Sequence, residues 1–235
     1  LGPNWATRVG SFVYAGDDAD GFAGRDEIVD FMVAYAEHIA APVRCGVEAT
    51  ALHRAGDGRR YRAETTQGPI EADNVVVATG PFQRPVIPSA FDGALPVASL
   101  HASAYRNPAQ IAEGGVLVVG AGASAAQIAD ELMGAGRRVH LSIGRHTRLP
   151  RRYRGRDQVW WRMAMGIWDE MVAGRSPPPG SLAITGAYGG ATIDYRAFAA
   201  RGAVLLGRAE GISDGVMRFA PGLAETLAAG DATLR

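Results

Sequence analysis

Not one of the 235 residues is a lysine: all 24 basic side chains are arginines, and 24 acidic ones cancel them. A formal net charge of zero gives no bulk electrostatic reason to expect nucleic acid or a membrane surface as a partner. The total absence of lysine fits a GC-rich coding sequence, as does the wealth of alanine and glycine. Cysteine is nearly absent as well. A single Cys45 excludes internal disulfides, a Cys-x-x-Cys redox pair and any multi-cysteine metal site, which fits a reducing cytoplasm. No apolar run approaches the roughly 20 residues of a membrane helix, and no signal peptide is visible. The first residue is Leu1 rather than methionine, so the start reads as a boundary within a longer chain.

What is present has the composition of an ordinary folded domain, with 47% hydrophobic and 20% charged residues. The stretch from Leu1 to Gly24 reads as loop. From Arg25 to Ala40 the apolar residues Ile28, Phe31, Met32, Tyr35, Ala36 and Ile39 recur at helical spacing, and Pro42 closes the element. Three β-like runs follow, at 44–54, 59–66 and 70–79, separated by glycine turns. They predict a small antiparallel meander. Its last run, Asn74 to Ala78, is apolar enough to predict burial on both faces. Residues 80–113 carry four prolines before residue 97 and read as a connector. After it come a strand at Val116–Val119, a helix from about Ser124 to Ala135, and a strand from Arg138 to Ile143. Gly136 stands at the helix C-cap. Downstream, the pattern predicts a helix at 160–172, a Pro-rich loop at 176–180, and a helix at 194–201 feeding a strand at 203–206. A strand at 215–220 and a C-terminal helix complete the order.

The segment Gly120-Ala121-Gly122-Ala123-Ser124-Ala125 fits G-x-G-x-x-[GA] between a strand and a helix. The first glycine permits the tight turn, the second lets the backbone approach a pyrophosphate, and the small third residue lets helix and strand pack closely. The helix amides then face the phosphates with the positive end of the helix dipole. An NAD site wants Asp or Glu at the end of the second strand. Here stand Ser142, Gly144, Arg145 and Arg148, with no acid before Asp157. Guanidinium forks suit a 2′-phosphate, so NADP is the expected nucleotide. Nine arginines lie between Arg137 and Arg162. Arg151, Arg152, Arg154 and Arg156 among them read as a solvated basic face.

With these residues in hand, the sequence resembles the flavin-containing monooxygenase superfamily, above all the bacterial flavoproteins labelled as oxidoreductases involved in potassium transport. The resemblance rests on the "ATG" strand Asn74 to Gly80, on Gly120-x-Gly122-x-Ser124 with Gln127-Ile128-Ala129, and on Gly144-Arg145 through Arg154. Of the fingerprint F-x-G-x-x-x-H-x-x-x-[FWY], His101 and Tyr105 are kept, while Leu95 and Val97 replace Phe and Gly. That departure weakens assignment to the typical monooxygenases.

The resemblance implies an α/β, two-dinucleotide-binding-domain flavoprotein fold. It would comprise a partial FAD-binding domain of helix plus meander (1–88), a connector (89–114) and a Rossmann-type NADP-binding domain (115–235). It further implies that the family's first glycine motif and its C-terminal return segment lie outside this sequence. NADP would rest on Gly120, Gly122, Ser124, Ala125, Gln127, Ser142, Arg145 and Arg148. FAD would lie near Val47, Thr79 and Gly80, and Asn4 would match the asparagine that meets flavin and nicotinamide. The implied chemistry is hydride transfer from NADPH to FAD, then oxygen activation as a C4a-(hydro)peroxyflavin that oxygenates a small-molecule substrate. The other readings are a disulfide reductase of the two-dinucleotide type, whose redox pair would have to lie outside this segment because Cys45 is its single cysteine, and a truncated NADP-binding module or degenerate paralogue without catalysis. The exposed edge of the "ATG" strand would favour a homodimer.

Overall fold

The computed structural model describes residues 2–54, 56, 60–80, 82, 84–91, 95, 97–167, 169 and 181–232. Packing divides the chain into two compact units, one of residues 1–25 with 86–235 and one of residues 26–85. This division runs differently from the functional boundaries expected at 88 and 114, because the first 25 residues pack with the downstream unit.

The smaller unit opens with helix α1 (Arg25–His38), whose Asp26 and Glu27 lie in the first turn, where carboxylates favour the helix dipole. Phe31 is its buried residue. Strands β1 (Ala49–Arg54), β2 (Tyr61–Thr65) and β3 (Ile70–Ala72) form the antiparallel meander in the order β1-β2-β3. The expected continuation of the last strand does not form. Residues 74–78 belong to no ladder among the described residues, and Val76 and Val77 are 86% and 73% exposed rather than buried on both faces. An apolar run is buried only where a neighbouring strand and layer exist to cover it, and composition alone does not supply them.

The larger unit is built on a parallel sheet. Strand β4 (Val116–Val119) leads into helix α2 (Ala123–Gly134) and strand β5 (Val139–Ser142). The latter pairs in parallel with β4 and, on its other side, with β6 (Val204–Leu206), giving the order β6-β5-β4. Taken in chain order this is 3-2-1, the arrangement of a mononucleotide-binding half. The α2 residues Ala126, Ala129 and Leu132 recur every third position and are almost fully buried. With Val118, Val139, Leu141 and Ile143 they make the core between helix and sheet. Two alanines on that face let the helix settle close to the strands. Each large aliphatic side chain removed from water there contributes about 1.5–3 kcal/mol. Gly136, at φ 75°, ends the helix as expected, with Arg137 N–H donating back to Leu132 O at 2.9 Å.

Further along, Asp157 caps helix α3 (Gln158–Ala164) by accepting from Val159 N–H at 2.8 Å, and Asp194 caps helix α4 (Tyr195–Ala200) through Arg196 N–H. Helix α3 stops short of the expected residue 172. Residues 168 and 170–172, like the expected loop at 176–180, fall outside the described residues. A hairpin, strands β7 (Ala209–Ser213) and β8 (Val216–Phe219), turns on Asp214 and Gly215. Both carry positive φ, the conformation that a tight two-residue turn demands. Helix α5 (Leu223–Ala232) follows. The segment 1–24, read as loop, contains a 3₁₀ turn at Asn4–Ala6 and a two-residue pairing of Arg8–Val9 with Phe12–Val13. Tyr105 and Glu131 tie the connector to α2 by a hydrogen bond of 3.0 Å. Burial first, then this bond and the charge of Glu131, push the phenol up to about 12. Among the described residues, no helix is long and apolar enough to cross a membrane.

Candidate dinucleotide site

Because Val119, Ser142 and Leu206 stand opposite one another, the three parallel strands end level. Their carboxyl edge is the place where open parallel sheets bind ligands. Gly120 leaves β4 at φ 134°, a backbone conformation that side chains resist, and its N–H donates to Ser142 O at 3.0 Å. The position of a Cβ there would lie 3.4 Å from Ala125 Cβ, so the first and third positions of the motif face each other closely. Gly122 is the N-cap of α2 in extended conformation (φ −97°, ψ −178°), makes no side-chain cap bond, and has no acidic residue following it in the first turn. The first-turn amides therefore carry no side-chain acceptor from the cap. This is a surface suited to a phosphate. Ser124 is exposed at the start of the helix and Ala125 is half-buried. Exposed Gln127 instead reaches across to donate from Nε2 to Ile184 O at 3.0 Å, tethering that segment.

The residues expected at the ribose separate into two kinds. Ser142 is 1% exposed, and its hydroxyl is spent on the protein. It donates to Gly207 O and accepts from Ala209 N–H, each at 2.9 Å. Ser142, expected at the 2′-phosphate, lies on the face of β5 opposite Val139 and Leu141 and has both of these hydrogen bonds to the backbone that follows β6. Arg148 is likewise engaged. It pairs with Asp194 at 2.7 Å and Asp231 at 3.0 Å, and Asp231 also takes Arg196. Hydrogen bonding from Arg148, opposed by partial burial and helped by Arg196, holds the Asp231 carboxyl below its ordinary value. Arg148 thus ties α4 and α5 together, and its charge is already compensated. Arg145, by contrast, is exposed, with no ion pair or hydrogen bond of its side chain among the described residues.

A second exposed arginine at this edge was not foreseen. Arg208, two residues beyond β6, runs its stem alongside Gly144. A Cβ on Gly144 would meet Arg208 Cγ at 3.5 Å and Cδ at 3.7 Å. The pattern "strand, glycine, arginine" was visible at 204–208, but its place depends on β6 pairing with β5 across more than sixty residues.

The arginine run 151–156 is not uniformly solvated. Arg151 is 1% exposed, paired with Asp157 at 2.8 Å and seated 4.4 Å over the Phe22 ring. Arg152 donates to Asp20 O at 2.8 Å. Asn4 also has an architectural place here. Its Nδ2 donates to Asp18 O at 2.8 Å and its Oδ1 accepts from Ala23 N–H at 2.7 Å, so both ends of the amide hold the loop 18–23. His101 caps a 3₁₀ turn by accepting from Ser103 N–H. On the smaller unit, Val47 lines a groove of about 410 Å³ with Arg44, Ala63, Thr65, Ile70 and Asn74. Thr79 and Gly80 are exposed, Gly80 at φ 76°. Among the described residues none of these three stands at a helix N-terminus.

Comparison with known proteins agrees with this topology. The family model described as pyridine nucleotide-disulphide oxidoreductase matches residues 18–159. An uncharacterized CzcO-like oxidoreductase of Geobacillus kaustophilus is 37% identical over 167 residues, covering 70% of this chain and 47% of that protein. An uncharacterized oxidoreductase CzcO of Bacillus subtilis is 32% identical over 146 residues, covering 56% of this chain and 42% of that protein. The chain thus spans about half the length of the curated relatives it matches. Among solved structures, a mutant flavin monooxygenase from Stenotrophomonas maltophilia superposes with a TM-score of 0.60 at 20% identity, covering 93% of this chain and 61% of that one. The bacillithiol disulfide reductase Bdr from Bacillus cereus does so at 0.56 and 15% identity, covering 90% and 57%. These two likenesses concern the mixed α/β fold. The family match covers more than half of the sequence and includes the glycine turn and the arginine that follows β5, and the chain accordingly belongs to the pyridine nucleotide-disulphide oxidoreductase family.

Proposed function

We propose that this chain supplies the NADP-binding unit, and part of the flavin side, of an FAD- and NADPH-dependent monooxygenase-like oxidoreductase. The observation that carries the reading is the carboxyl edge of the parallel sheet. There the Gly120–Ala125 turn opens α2 with no acid in its first turn, and exposed Arg145 stands where an NAD site would have a carboxylate.

When bound, NADPH would supply the hydride and flavin the oxygen-activating chemistry. The chain's own residues bind and orient. Gly120 and Gly122 clear the space for the pyrophosphate, and the α2 amides receive its charge. Arg145 offers a planar fork to the 2′-phosphate. Ser142 and Arg148 act behind this surface, fixing the backbone and the helices that carry it. On the flavin side, Val47, Thr79 and Gly80 present no glycine turn at a helix N-terminus among the described residues. That same observation favours a second reading, NADP binding without turnover by this chain alone.

Flavin absorbance per chain after reconstitution, with NADPH oxidation followed alongside, separates the two. The expected result for residues 1–235 is well below one flavin per chain, and no turnover. Arg145→Ala should cost NADP about 1.5–3 kcal/mol, on the order of tenfold to a hundredfold in affinity, and leave NAD nearly unchanged. Equal losses for both nucleotides would remove the basis for the NADP assignment.

A further inference from the structure

We infer that Arg208 is a second guanidinium of the 2′-phosphate subsite, held in place by Ser142. The inference rests on the NADP reading and names a determinant that the glycine motif and the end of β5 do not contain.

Four observations converge on it. Arg208 follows β6, whose Leu206 stands opposite Ser142, so it leaves the sheet at the same carboxyl edge as Gly120 and Gly144. Its stem lies across Gly144, in contact distance of where a side chain there would begin, and Gly144 directly precedes Arg145. The stem of the second arginine therefore lies beside the residue that precedes the first.

The arginine is also mounted rigidly at its backbone. Ser142 Oγ bonds the peptide groups on either side of it, Gly207 O and Ala209 N–H, both at 2.9 Å and out of contact with water. Arg208 O accepts from Ala220 N–H at 2.8 Å, and a Cβ on Gly207 would fall on Ala220 O. The hydroxyl that seemed placed to touch the ligand instead fixes the residue that can.

Finally, the guanidinium is uncompensated. Arg148, Arg151, Arg196 and Arg201 each have a carboxylate partner. Neither Arg145 nor Arg208 has one among the described residues, and both are exposed. A dianionic monoester at the ribose 2′ position has the charge and the acceptor oxygens to take both guanidinium forks.

The test uses the full chain and two probes that differ only in the 2′-phosphate, adenosine 2′,5′-bisphosphate and adenosine 5′-monophosphate, titrated by calorimetry. The wild-type chain should favour the bisphosphate. Arg208→Ala should lower that ratio on the order of tenfold while leaving the monophosphate affinity unchanged, and Arg208→Lys should restore part of it. Ser142→Ala should lower the ratio in the same direction without removing a charge, and Ser142→Thr, which keeps the hydroxyl, should recover it. An unchanged ratio in Arg208→Ala overturns this inference and leaves the NADP reading standing. An equal loss for both probes overturns it too, because the residue would then be structural. A wild-type chain that binds neither probe, or both alike, overturns the NADP reading and this inference with it.

Discussion

The buried pair of Arg151 and Asp157 offers the sharpest test of how the arginine run is used. Both side chains are within 2% of full burial, joined at 2.8 Å, with the guanidinium over Phe22. Asp157 has a second role, since its other oxygen caps α3 through Val159 N–H at 2.8 Å. Asp157→Ala would leave a buried guanidinium without its carboxylate, a loss of about 3–5 kcal/mol. It would also remove a cap that is itself worth about 1 kcal/mol. Against a total stability of roughly 5–15 kcal/mol for a domain, the variant should be close to unfolding. Asp157→Asn keeps an acceptor for the cap and loses only the charge, so it should lie between wild type and Asp157→Ala. The double replacement Arg151→Met with Asp157→Leu removes both ions together and should recover most of the loss. Urea denaturation followed by the fluorescence of Trp160 and Trp161, both on α3, measures all three. A loss under about 1 kcal/mol for Asp157→Ala would mean that the pair is not desolvated as described.

Gly122→Val should abolish nucleotide binding with little change in thermal midpoint, because φ −97° and ψ −178° suit any residue while the side chain fills the pyrophosphate space; circular dichroism and a binding titration on one sample check both halves. Gly207→Ala should destabilise by about 1–3 kcal/mol, since its Cβ falls on Ala220 O, and chemical denaturation reads the loss directly. Asp231 is held below its ordinary value by Arg148 and Arg196, so its stabilisation is complete above the unfolded carboxylate value and is lost as pH falls through the folded one. Asp231→Asn should flatten that acid-side fall in urea midpoint; a curve identical to wild type would show that the cluster is not linked to folding.

The strand, glycine turn and helix at 116–134 were legible because three local signals agree there: an apolar run, two glycines and a helical repeat ending at Gly136. Helix α1 and the meander were legible for the same reason. The apolar run at 75–77 misled, since its exposure depends on a partner strand and not on its own residues. The hairpin turn at Asp214-Gly215 was a local signal that went unused. At the candidate site, the turn of Gly120 and Gly122 into α2 and the place of Arg145 just beyond β5 were readable from spacing alone. The direction of Ser142 and the compensation of Arg148 were not, because each depends on residues far off in sequence: Gly207 and Ala209 for the first, Asp194 and Asp231 for the second. Arg208 was hidden for that reason as well.

The most direct test of the central claim is the equilibrium affinity of the full chain for NADPH against NADH, measured side by side in one buffer of stated ionic strength. The account predicts that NADPH binds tighter on the order of tenfold to a hundredfold, the worth of charge-assisted contacts to one phosphate. Equal affinities, or a preference for NADH, would contradict it.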